Sequence, residues 1–229
     1  MSDTLPDRMA GIRFGEGPLA RACALVYTLA VVESLFLLTA VPGLAGLVLL
    51  SRDAGNIPLA ALCLIPAGPA LSAALYALHH RRLDLTDLRP GAAFWRGYRV
   101  NLRGVVKLWV PWLLWMAVIG SNLAVAGVGG WWAVSSVVIA VAATLWIANA
   151  LVITSLFAFR ARDVARLAAY FLTRSPRASL GNACLLVLAA TVTLIASEVA
   201  AVLLASVLAS LLLLNGRTMI AEVRERFTA

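Results

Sequence analysis

Charge is what this sequence has least of. Only 13% of its 229 residues are Asp, Glu, Lys or Arg, where an ordinary soluble domain carries about 25%. Hydrophobic residues make up 62%. That balance excludes an ordinary soluble enzyme, a disordered chain and a nucleic-acid module. Cysteine is scarce: Cys23, Cys63 and Cys184 lie far apart, each in an apolar stretch. No CxxC or Cys/His spacing exists to hold a metal, so they read as small buried hydrophobes. His79 and His80, with Asp84 and Asp87 nearby, match no zinc spacing. No Walker A loop, GxSxG or HExxH occurs, and no polar stretch is large enough for a soluble catalytic domain. The sequence therefore predicts a non-enzyme with no cofactor and no metal. The first twenty-one residues also lack the short apolar core of a cleaved secretory signal.

What is present is a series of long apolar runs. A span needs about 20 apolar residues to cross the hydrocarbon core. Residues 22–50 qualify, with Glu33 inside, and residues 58–79 form a second span. From Leu108 to Phe159, 52 residues, there is no charge at all. That is room for two spans, at about 105–126 and 131–158, with Gly127, Gly129 and Gly130 marking the turn. The last run, Ala178 to Gly216, is broken only by Glu198. A single span would bury that carboxylate, so we read two, at about 179–196 and 199–216, turning at Ser197 and Glu198.

Orientation follows from the basic residues. With six spans, eighteen of the 19 Lys and Arg fall on the side of the termini and only Arg52 on the other. Positive charge marks the cytoplasmic side. The expected fold is thus an all-α membrane protein of six transmembrane helices, arranged as three hairpins, with both termini in the cytoplasm. The net charge of +8 is then a matter of orientation and carries no implication of nucleic acid. Trp131 and Trp132 fit the outer interfacial belt, and Trp95 and Trp109 the inner one.

Two cytoplasmic loops read as amphipathic elbow helices. In the first, Arg96, Arg99, Arg103 and Lys107 form a basic stripe, and Phe94, Tyr98 and Leu102 a mainly apolar one. In the second, Arg166, Tyr170 and Arg174 share a face, while Val164, Leu167, Ala168 and Phe171 point to lipid. These elbows either dock a cytoplasmic partner or simply rest on anionic lipid, which attracts basic juxtamembrane helices without any partner.

One position inside the membrane stands out. Glu33 lies eleven residues past Ala22, roughly 16 Å deep in a ~30 Å core. A carboxylate there is a functional hypothesis by default. No Lys or Arg lies in the interior of a span to pair with it, and desolvation favours its protonated form. The second span carries Pro66, Gly68 and Pro69 near its middle. Each proline deprives the carbonyl four residues earlier, at Leu62 or Ile65, of its helical partner. Either Glu33 and the Pro66–Pro69 break line a midplane site for a polar solute or a proton, or Glu33 merely donates to a carbonyl freed by the kink. Asn122 and Asn149 read as interhelical hydrogen-bonders.

The run Gly68-Pro69-Ala70-Leu71-Ser72-Ala73-Ala74-Leu75-Tyr76 resembles the Gly-Pro-Ala…Ala-Leu-Tyr signature of the YesL family. Phe94-Trp95-Arg96-Gly97-Tyr98-Arg99-Val100-Asn101, Gly17-Pro18-Leu19 and Pro42 are similar to that family as well. The resemblance covers residues 16 to about 110. It implies a small bacterial integral membrane protein associated with carbohydrate uptake, and it supplies no catalytic residues. Many relatives have Asn where this chain has Glu33, which counts against proton coupling. The expected function is that of a non-enzymatic accessory protein of an ABC-type carbohydrate importer, in contact with its permease subunits. The alternative is a self-contained, oligomeric small-solute transporter with its path at Glu33 and the Pro66–Pro69 break.

Overall fold

The computed structural model describes residues 18–51, 53–81, 89–126, 129–195 and 198–227. These residues are helical throughout, with no strand among them. Helix α1 spans Pro18–Leu49 and leads through a 3-10 turn, Ala54–Asn56, into α2, Ile57–Cys63, and α3, Ala67–His79. Then come α4, Pro90–Ala126, α5, Trp131–Leu156, and α6, Ala161–Arg174. The chain ends with α7, Pro176–Ile195, α8, Glu198–Leu203, α9, Ala205–Asn215, and α10, Arg217–Phe227. Four helices, α1, α4, α5 and α7, are long and apolar enough to cross a bilayer. The number rises to six if the bent pairs α2–α3, at 42°, and α9–α10, at 55°, each count as one span.

Several hydroxyls on the long helices bond to carbonyls of their own helix, as suits polar groups in apolar surroundings. Thr28 donates to Ala24 O at 2.8 Å, Ser34 to Ala30 O at 2.9 Å and Thr39 to Leu35 O at 2.9 Å. Thr144 and Thr193 do the same to the carbonyls four residues back. The turn into α5 is a backbone requirement: Gly130 has φ 90°, which a side chain would disfavour.

Helix α3 is the axis of the packing. It touches α1, α4, α5 and α9, and Gly68, Pro69, Ala70, Ser72, Ala73, Ala74 and Leu75 are all buried. Its alanines let four neighbours approach closely, the way helices associate where lipid supplies no hydrophobic drive. The stretch from Gly68 to Tyr76 is therefore the central packing element of this fold.

The elbows differ from expectation. The first is not a separate helix: α4 runs unbroken through the basic stripe and the apolar run for 37 residues, about 56 Å. Nothing between Arg99 and Leu108 breaks it, and Phe94, on its presumed lipid face, is fully buried in protein. The second elbow is a separate helix, α6, with the predicted exposed face of Arg166, Tyr170 and Arg174. Yet Val164, Ala168 and Phe171 are buried against the protein, and Leu167 packs on the same core. The Trp146 indole holds α6 by donating to Ala165 O at 3.0 Å. Cys23 and Cys184 are exposed on outward-facing helix surfaces, and only Cys63 is partly buried.

The last apolar run is divided. Asn215, at the end of α9, donates to Ala178 O at 2.7 Å, near the start of α7. The chain thus reverses between them. Helix α8 begins at Glu198, while Ser197 lies outside the described residues, as do Gly17, Gly127, Asp84 and Asp87. A second break, at Leu204, starts α9 afresh. Helix α10 was not foreseen: it buries Met219, Ile220 and Val223 and turns its Arg and Glu side chains outward.

Candidate functional site

Glu33 meets α9. Its Oε2 accepts the backbone N–H of Ser206 at 2.7 Å. Ser206 is in the first turn of α9, where N–H groups have no intrahelical acceptor. The break at Leu204 creates those orphan donors deep in an apolar setting, and no side chain of α9 itself caps them. A carboxylate there also faces the positive end of the helix dipole. Glu33 thus acts here as an acceptor, and its hydrogen bond goes to α9 and not to the carbonyls of Leu62 or Ile65. Glu33 Oε1 is buried and has no partner. Ser210, one turn along α9 from Ser206, likewise has a buried hydroxyl without a partner.

The break in the second span is closed by other groups. Trp109 of α4 donates its indole N–H to Leu64 O at 3.0 Å. Ile65 N–H turns back to Leu62 O at 3.1 Å, a tighter i to i+3 bond that takes one of the two carbonyls freed by proline. The indole lies directly over Gly68: a Cβ there would come within 2.6 Å of the Trp109 ring. Gly68 is thus a space for tryptophan. Trp109 is buried and not part of the inner interfacial belt, whereas Trp95, Trp131 and Trp132 are exposed.

Pro66, at the start of the break, lies along α1 away from Glu33. Pro66 abuts α1 at Gly43, where a Cβ would sit 3.5 Å from its ring. Gly43 is ten residues from Glu33, or about 15 Å along the helix.

Two further polar contacts cross the interior. Ser72 of α3 and Ser155 of α5 share a hydrogen bond at 2.9 Å, and Asn101 of α4 donates to Ser155 O at 3.2 Å. On the other side, three asparagines form a ladder. Asn182 Nδ2 donates to Asn149 Oδ1 at 3.0 Å, and Asn215 Nδ2 to Asn182 Oδ1 at 2.6 Å. The ladder ties α5, α7 and α9, and Gly181 makes room for the Asn215 amide. Asn149 thus does what its sequence position suggested. Asn122 is exposed. Sequence reasoning missed Asn182 and Asn215, although amides recurring near the same end of successive apolar runs were a usable signal.

The basic stripe lies on the surface. Arg96, Arg99, Arg103 and Lys107 are all exposed on α4. Among the described residues no ion pair to them is seen, whereas Arg226 pairs with Glu222 at 3.4 Å within α10. The cavity between α3, α5, α7 and α9 is small, about 160 Å³, and lined by leucines and alanines apart from Thr144 and Asn182.

Helices of this length and apolarity, packed through small residues and interhelical amides, are consistent with a multi-pass membrane protein. Comparison with family models, curated proteins and solved structures returns no match.

Proposed function

We propose that the chain is a six-span protein of the bacterial cytoplasmic membrane with both termini inside, a YesL-like accessory component of a carbohydrate ABC-type uptake system. It acts by contact and not by catalysis. The observation that carries this reading is where the unpartnered charge lies. Inside the bundle, Glu33, Trp109, Ser72, Ser155, Asn101 and the three asparagines hold helices to one another. On the surface, Arg96, Arg99, Arg103 and Lys107 on α4, with Arg166, Tyr170 and Arg174 on α6, remain exposed. Such a face suits an acidic surface on permease subunits. The family resemblance supplies the carbohydrate association.

A second reading, a self-contained transporter, is favoured by the unpaired Glu33 Oε1 and Ser210 hydroxyl at the α1–α9 contact. Reconstitution separates the two. The accessory reading predicts that the pure protein in liposomes moves no sugar and that sugar permease subunits are recovered with it in mild detergent. Sugar flux through the pure protein establishes the second reading instead.

A further inference from the structure

A groove of about 310 Å³ runs between α4 and α5. Lys107, Pro111, Trp112 and Trp115 line it from α4, and Ala143 and Trp146 from α5. Lys107 and Trp115 are exposed, so the groove opens on the surface of the bundle. Its chemistry changes with depth. Lys107 is the last charged residue of α4, because the apolar run begins at Leu108. Among the described residues no ion pair to Lys107 is seen. Trp112 follows five residues later, about 7 Å further along the helix, and its indole N–H is buried without a partner. Trp115 lies about 12 Å past Lys107, facing the methyl of Ala143 across the same groove. The Trp146 indole N–H is committed to Ala165 O at 3.0 Å, so only its ring serves the groove.

We propose that this groove holds one anionic phospholipid, drawn from the leaflet on the side of the basic stripe. The order of groups along the groove is the order along such a lipid. Lys107 meets the negative phosphate. Trp112 N–H meets an ester carbonyl, which can only accept. The rings of Trp115 and Trp146 and the methyl of Ala143 meet hydrocarbon. The depth agrees as well: half of a ~30 Å hydrocarbon core is about 15 Å, so a groove of about 12 Å fits within one leaflet. Indole suits this zone because it joins an apolar body to a single donor. A buried donor left unpaired is costly, and the lipid supplies an acceptor that the protein does not. A small soluble anion would satisfy Lys107 but leave the aromatic walls uncovered. The site is independent of any role in sugar uptake.

The test uses the full chain purified in neutral detergent and offered phosphatidylglycerol or phosphatidylcholine. Native mass spectrometry counts the lipid retained, and thermal unfolding checks that each variant is folded. The wild type is expected to retain one phosphatidylglycerol in preference to phosphatidylcholine. K107Q, at an exposed position, is expected to weaken that retention about fivefold or more, and K107R to preserve it. R99Q/R103Q, on the same helix but outside the groove, is expected to leave it unchanged. A143F fills the groove and is expected to abolish retention. The proposal is overturned if phosphatidylglycerol is not preferred, if K107Q and R99Q/R103Q weaken retention equally, or if folded A143F retains the lipid as the wild type does. A wild type that keeps no lipid and elutes as a dimer that A143F splits assigns the groove to a second copy of the chain and overturns the proposal as well.

Discussion

Replacing Glu33 tests how the fold tolerates a carboxylate in an apolar interior. In the structure one carboxylate oxygen caps α9 through Ser206 N–H at 2.7 Å. Glu33→Ala removes that acceptor and strands the N–H where no water replaces it. An unsatisfied buried donor costs about 1–3 kcal/mol, and loss of a charge at a helix N-terminus adds about 0.3–1 kcal/mol. We expect a loss of about 2–3 kcal/mol, or about 5–10 °C in Tm for a chain of this size. Glu33→Gln keeps an oxygen acceptor and loses only the charge, so it should cost no more than about 1 kcal/mol. Thermal unfolding in detergent, followed by the fluorescence of the seven tryptophans, measures both. If Gln is as damaging as Ala, the charge matters and the cap does not. If Ala is neutral, α9 does not depend on Glu33, and the capping argument is refuted.

Other substitutions probe the remaining contacts. Trp109→Phe keeps a ring over Gly68 but removes the indole donor to Leu64 O, which retains the Ala67 N–H at 3.2 Å; a loss of about 0.5–1.5 kcal/mol is expected in the same unfolding assay. Asn182→Ala removes both rungs of the asparagine ladder, whereas Asn149→Ala removes one. At about 0.6 kcal/mol per interhelical bond, the first should cost roughly twice the second, and equal effects would mean that the rungs do not act separately. A cysteine introduced at Glu198, with the native cysteines replaced, should be labelled by an impermeant maleimide from outside the cell. Protection there would argue for a single span through the last apolar run.

Much of the architecture is legible in the sequence because lipid imposes simple arithmetic. The apolar runs, the start of α5 after Gly130 and the exposed basic stripe all follow from length, glycine and charge. The partners of the buried groups do not. Glu33 meets Ser206 across 173 residues of sequence. The donor that closes the broken span is Trp109, which by its position reads equally well as an interfacial anchor. Nor does an apolar stripe reveal what covers it. Val164, Ala168 and Phe171 would suit lipid or protein alike, since both are apolar surroundings, and here protein covers them. Helix α10 escaped notice because its charged residues suggest a tail, although Met219, Ile220 and Val223 recur at helical spacing.

The proposed function depends most on contact through the exposed basic face of α4. Purifying the tagged full chain from its own membranes in mild detergent tests that directly. We predict that the permease subunits of a sugar importer co-elute with the wild type and are lost when Arg99, Arg103 and Lys107 are changed to Gln. Elution of the wild type without any permease subunit would contradict the account.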